Sequence, residues 1–128
     1  MIAVDTNVLV RIVTNDDPAQ SRRALAALRG QPIFIPKTVL LELEWVLRYA
    51  YMLDRPAILN ALQGLAGLPK AELEDAAVVI QAIQWYSDGL DFADALHLAS
   101  SGAARKFLTF DEKLYKKAAK TATPVVCL

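Results

Sequence analysis

Met1-Ile2-Ala3-Val4-Asp5-Thr6-Asn7-Val8-Leu9 is the stretch that decides the fold. Ile2–Val4 reads as a short buried strand. Asp5-Thr6-Asn7 is turn and N-cap chemistry, and Val8–Val13 continues as a helix. A strand that turns at once into a helix is the start of an α/β unit. The turn also leaves Asp5 at the carboxyl end of a strand, where open parallel sheets bind their ligands.

The rest of the chain repeats that alternation. Asp17 and Pro18 open a second helix, which runs through Leu25 and Leu28 to a stop at Gly30. Ile33-Phe34-Ile35, bounded by Pro32 and Pro36, is a second strand. Thr38–Tyr51 is a long helix, with Val39, Leu43, Val46, Leu47 and Ala50 at helical spacing. Asp54 and Pro56 start a further helix to about Gly64, and Leu68–Leu73 is a linker or a short edge strand. Asp75–Ser87 is helical and ends at Asp88-Gly89. Asp91–Ser101 is a helix apolar almost all round, so it is expected to be buried. Phe107–Thr109 is a strand, Glu112–Lys120 a basic amphipathic helix and Val125–Cys127 a last strand. Short connections between alternating elements predict an α/β domain with a mostly parallel central sheet flanked by helices.

Composition bounds the function. The 128 residues are 55% apolar, enough for a core and too many for disorder. Residues 1–128 are expected to form one domain. No apolar run approaches the roughly 20 residues that span a bilayer. The first residues lack the basic region of a secretory signal. The single cysteine, Cys127, makes neither an internal disulfide nor a cysteine-rich zinc site, and reads as a small residue in the last strand. These features fit a cytoplasmic protein with no membrane association.

Net charge is zero but unevenly spread. Residues 72–94 hold Glu72, Glu74, Asp75, Asp88, Asp91 and Asp94 with no Lys or Arg. Residues 105–120 hold Arg105, Lys106, Lys113, Lys116, Lys117 and Lys120 against Asp111 and Glu112. A basic end beside an acidic site can hold a phosphate backbone around a metal. For Lys116 and Lys117, a solvated helix face is the plainer reading.

Asp5, Glu42, Asp94 and Asp111 each sit in or beside an apolar segment. Buried there without a partner, a carboxylate costs several kcal/mol or neutralises. Several such acids in one small domain point to a shared counter-cation. An all-oxygen donor set with one histidine in the chain fits Mg²⁺ or Mn²⁺ rather than zinc or copper. His97, one turn after Asp94, is either a group that supports the metal site or an ordinary helix histidine. Capping is the competing account: Asp5, Asp91 and Asp111 all precede helices, and Asp94 has the position of a capping-box acid. Glu42 and Glu44 flank the apolar face of their helix on opposite borders, and periodicity does not choose between them. A phosphoacceptor domain shares the acidic Mg²⁺ chemistry, but it needs an acidic pair after the first strand, where Asp5 is followed by Thr6 and Asn7. A phosphatase wants a second Asp where Asn7 stands.

Four segments resemble the motifs of PIN-domain nucleases, in the family's order and across nearly the whole chain. Residues Met1–Leu9 resemble the opening. Pro36-Lys37-Thr38-Val39-Leu40-Leu41-Glu42-Leu43-Glu44-Trp45-Val46-Leu47 resembles the second motif. Asp91-Phe92-Ala93-Asp94-Ala95-Leu96-His97-Leu98-Ala99 resembles the third, and Leu108-Thr109-Phe110-Asp111 the fourth. The resemblance implies a three-layer PIN-like fold. It places the family's first acid on Asp5, its helix glutamate on Glu42 and its third acid on Asp94. The fourth falls on Asp111, where the family varies most. Asp91 becomes a cap or supporting acid, and Thr6, Asn7 and Thr109 become site-shaping groups.

Size and the absence of other domains are similar to the VapC toxins of toxin–antitoxin pairs. The implied activity is Mg²⁺-dependent endoribonuclease action on RNA, with a VapB-like antitoxin and a homodimer as partners. A PIN-like module that binds RNA or protein without catalysis is the remaining rival. Exposure of Trp45, Tyr49, Tyr51 and Trp85 would serve a dimer. Val46, Leu47 and Ala50, with the next helix, would form an apolar groove for an antitoxin helix.

Overall fold

Strand β1 (Ile2–Ala3), strand β2 (Ile33–Ile35) and strand β3 (Ala71–Leu73) form a parallel sheet in that order. The computed structural model describes every residue, Met1–Leu128. Contacts divide it into two compact units, Met1–Ala76 and Ala77–Leu128.

In the first unit, helices α1 (Thr6–Thr14) and α2 (Pro18–Leu28) connect β1 to β2. Helices α3 (Lys37–Tyr49) and α4 (Arg55–Ala66) connect β2 to β3. Parallel neighbours need such crossovers, because a tight turn cannot return the chain to the same end. The caps follow local chemistry. Asp17 accepts from the Gln20 amide at 3.1 Å with Pro18 as first residue of α2, and Asp54 accepts from the Ala57 amide at 3.0 Å. Register is set by Ile2 opposite Ile33, and by Ile33 and Ile35 opposite Ala71 and Leu73. β3 is an edge strand. α1 packs on α2 and α3, and α3 on α4. Leu9, Ile35, Leu40, Leu43, Leu47, Ile58 and Leu62 are buried among these elements. At roughly 1.5–3 kcal/mol per buried aliphatic side chain, this apolar packing is the main favourable term.

The second unit holds α5 (Ala76–Ser87, starting at the boundary), α6 (Phe92–Ala99), β4 (Phe107–Thr109), α7 (Glu112–Ala118) and β5 (Val125–Cys127). β4 and β5 pair in parallel as a separate ladder, and α7 packs on both. The expected parallel strands are therefore present, distributed over two hydrogen-bonded ladders. Gly89 turns the chain from α5 into α6 at φ +111°, a conformation that side chains resist. Phe92, Ala95, Leu96 and Leu98 bury α6 as its sequence predicts, and Tyr86 meets Phe92 edge-on with centroids 5.5 Å apart. A 3₁₀ turn at Ala119–Thr121 ends α7 early, closed by Ala122 in the left-handed region at φ 56°.

Candidate functional site

The first unit brings Asp5 and Glu42 together. β1 and β2 are parallel neighbours, so the helices leaving their carboxyl ends start side by side. Asp5 is the N-cap of α1, and its Oδ1 accepts from the Thr6 amide at 2.7 Å. Thr6 is buried, and its hydroxyl donates a hydrogen bond to Glu42 Oε1 on α3. One residue therefore fixes both acids, by its amide and by its hydroxyl. Asp5, Thr6, Asn7 and Glu42 form the polar end of a cavity of about 410 Å³, whose apolar wall includes Val46 and Ala50.

Burial is where the sequence expectation needs correcting. Asp5, Glu42 and Asp111 are exposed, and Asp94 is half-buried. Apolar neighbours along the chain did not bury them, because each sits where a helix begins or turns toward solvent. The buried carboxylate is Glu44, at 2% exposure. Arg48, one turn later, holds it with Nε 3.0 Å from Oε2 and Nη2 3.1 Å from Oε1. That ion pair, with its hydrogen bond from Nη2, gives Glu44 a structural role in α3 and leaves Glu42 as the acid facing the cavity. Leu47 is buried and no residue of α4 lines the cavity, so of the expected apolar groove only Val46 and Ala50 remain, joined by Val10 of α1. Trp45 and Tyr49 are exposed, with centroids 5.3 Å apart, whereas Tyr51 and Trp85 are half-buried.

The second unit brings Asp91, Asp94 and Asp111 into one electrostatic neighbourhood. Asp91 caps α6, and its Oδ2 accepts from the Asp94 amide at 3.1 Å. Asp111 caps α7: its Oδ1 accepts from the Lys113 and Leu114 amides at 2.9 and 3.1 Å. The Thr109 hydroxyl accepts from the Asp111 amide at 2.9 Å, which fixes the turn after β4. Desolvation pushes the Asp94 carboxyl above its usual range, and the charges of Asp91 and Asp111 push it further. His97 and Lys117 pull it back in part.

Two exposed lysines of the basic segment reach back to the loop beside this cluster while staying on the solvated face of that segment. Lys117 Nζ donates to the Gly89 carbonyl at 2.9 Å and Lys120 Nζ to the Asp88 carbonyl at 3.3 Å. They tie α7 to the turn that precedes Asp91. Cys127 is half-buried in β5 as expected.

The capping and ligand readings are compatible at Asp5 and Asp111, where a single oxygen does the capping. No group of three or more His, Cys, Asp or Glu side chains stands at metal-holding separation. Mg²⁺ does not require one, since it keeps several waters and takes one or two carboxylates plus substrate oxygens. The exposed, all-oxygen donors fit such a hard cation. Sequence reading missed Arg11, Asp16, Gln20 and Tyr51, which form a polar network beside Asn7. The available signal was Arg11 standing four residues after Asn7, on the same helical face.

The family model for the PIN domain matches residues 2–120, which takes in parts of both units. A comparison with curated proteins found no match. No helix is long and apolar enough to cross a membrane.

Proposed function

The chain belongs to the PIN-domain family, whose fold is of nuclease type, and from that premise we propose that it is a Mg²⁺- or Mn²⁺-dependent endoribonuclease acting as a VapC-type toxin. The family match carries the reading. The donor chemistry supports it: exposed and half-buried carboxylates, three of them oriented by helix caps or by Thr6, with no cysteine among them. We treat residues 1–128 as a single PIN domain acting in the cytoplasm.

We assign the cation-holding role to Asp5, Glu42, Asp94 and Asp111. One or two divalent cations held by these acids, directly or through water, would supply an acidified water and neutralise charge on a phosphodiester oxygen. The chain's own contribution is placement. Thr6 restrains Glu42, the caps restrain Asp5 and Asp111, and burial with neighbouring acids makes Asp94 eager for a positive charge. Water, rather than a side chain, attacks the phosphorus; the P–O3′ bond breaks and the 3′ oxygen leaves with a proton, so the products carry a 5′ phosphate and a 3′ hydroxyl.

A homodimer and a VapB-like antitoxin complete the proposal. The exposed Trp45–Tyr49 pair on α3 suits an interface between copies. The cavity's juxtaposed Asp5, Glu42, Val46 and Ala50 suit an antitoxin helix that inserts an arginine, whose planar fork matches carboxylates. No observation favours the binding-only rival.

The test is twofold. Purified protein should cut RNA with Mg²⁺ or Mn²⁺ and stop in chelator. Expression should arrest growth, and an Asp5→Ala, Asp94→Ala double substitution should abolish the arrest. Arrest that survives the double substitution rejects this site. Intact RNA with a folded wild-type protein and both metals rejects the nuclease reading.

A further inference from the structure

A second polar cavity adjoins the Asp5–Glu42 cavity within the first unit. It measures about 440 Å³ and is lined by Asn7, Val8, Arg11, Gln20, Arg23 and Ala24. Asn7 and Arg11 line both cavities. No carboxylate lines the second one.

Its polar groups are oriented in one sense. Arg11 Nε donates to Gln20 Oε1. Arg11 Nη1 donates to Asp16 Oδ1 at 3.0 Å and to the Tyr51 hydroxyl at 3.1 Å. Tyr51 in turn donates to Asp16 Oδ2 at 2.6 Å, and Thr14 to Asp16 Oδ1 at 2.9 Å. This network locks the Arg11 fork and leaves its second terminal nitrogen for a ligand. The Gln20 oxygen is committed to Arg11, so its amide nitrogen is the end left to donate. Arg23 is exposed and pairs with no acid. Asp16 offsets much of the Arg11 charge, so Arg23 carries the net positive charge of the wall.

A wall of donors with net positive charge recognises an anion, and planar guanidinium groups suit phosphate oxygens. Resting on the nuclease reading, we propose that Arg11, Gln20 and Arg23 form a subsite for a backbone phosphate of the RNA next to the bond to be cut. Asn7, on the rim shared by the two cavities, spans the step from one phosphate to the next. The subsite fixes the register of the strand, as phosphate contacts do, and reads no base.

Binding of a short labelled single-stranded oligoribonucleotide, measured by anisotropy in chelator across a salt series, tests the subsite. Arg23→Glu should weaken binding on the order of tenfold and flatten the salt slope by about one. Arg23→Lys should retain most of the affinity. Arg29→Glu makes the same charge change at the exposed end of α2, outside the cavity, and should stay within about twofold at physiological salt. Equal effects of Arg23→Glu and Arg29→Glu overturn the subsite, even where the wild type cuts RNA normally. Arg23-dependent binding by a wild type that never cuts leaves the subsite standing and removes the nuclease reading. A wild type that does not bind the RNA in chelator overturns the subsite, and the nuclease reading then stands or falls on cleavage with Mg²⁺ or Mn²⁺. Arg23 makes no bond in the fold, and Arg23→Gln serves if the charge reversal does not fold.

Discussion

The acids of the two units are held in opposite ways. In the first, Asp5 and Glu42 each receive a hydrogen bond from the same buried residue, Thr6. In the second, partial burial pushes the Asp94 carboxyl up, and the charges of Asp91 and Asp111 push it further. Donors stabilise a carboxylate where it is, whereas neighbouring acids make it costly until a cation arrives. The first arrangement therefore supplies fixed geometry and the second supplies affinity for positive charge. Removing a residue from one should not imitate removal from the other.

The largest expected effect separates charge from fold. Asp94→Asn should reduce cleavage by a factor on the order of a hundred or more, because an amide cannot replace a carboxylate opposite a cation. In chelator the variant should melt no lower than the wild type, since it removes a charge that Asp91 and Asp111 oppose. Calorimetry beside an RNA-cleavage assay reads both. A variant that cuts normally rejects the assignment of Asp94, and one that loses activity only by unfolding rejects the electrostatic account.

Thr6→Val probes the other arrangement. It keeps the shape of a buried side chain and removes the hydroxyl that restrains Glu42. Stability should fall by about 1 kcal/mol, the usual worth of such a bond. Cleavage should fall by roughly tenfold, the equivalent of a modest loss of positioning. Unchanged cleavage would show that Glu42 needs no restraint from Thr6.

Much of this was legible in the sequence, and the boundary has a physical cause. Asp17-Pro18 and Asp54 with Pro56 announce helix starts because capping is local, and the structure has those caps. The Leu68–Leu73 segment was ambiguous because a three-residue edge strand exists only through its pairing with β2. Glu42 and Glu44 were indistinguishable by period, since both border the same stripe. Their fates depend on Thr6, 36 positions away from Glu42, and on whether Arg48 turns inward. The Arg11 network joins Asp16 to Tyr51 across 35 positions, a pairing that Arg11's place on the Asn7 face does not reveal. The burial expected for Asp5 and Asp111 failed for a related reason. An apolar neighbour along the chain says little about the side of the strand end on which a carboxylate emerges.

The smallest effect concerns Lys117, which lowers the Asp94 carboxyl through its charge and donates to the Gly89 carbonyl. Lys117→Gln removes an exposed charge, so the stability cost should stay within about 0.5 kcal/mol. Its signature is in pH dependence. A carboxyl whose folded-state pKa lies above its unfolded value binds a proton more tightly when folded. Its destabilising effect is full above the raised value, shrinks as pH falls through it, and vanishes below the ordinary 3.8. In chelator, the wild type should therefore gain stability relative to Asp94→Asn as pH falls through that window. Lys117→Gln should move the onset of the gain to higher pH, because one of the charges holding Asp94 down is gone. Carboxyl carbon shifts of Asp94, followed by NMR titration, give the midpoint directly. A midpoint that does not rise in Lys117→Gln would mean that the lysine acts only through its bond to Gly89. Restoration of full stability at neutral pH by Mg²⁺, in the wild type and not in Asp94→Asn, would identify the missing positive charge as a cation at this cluster.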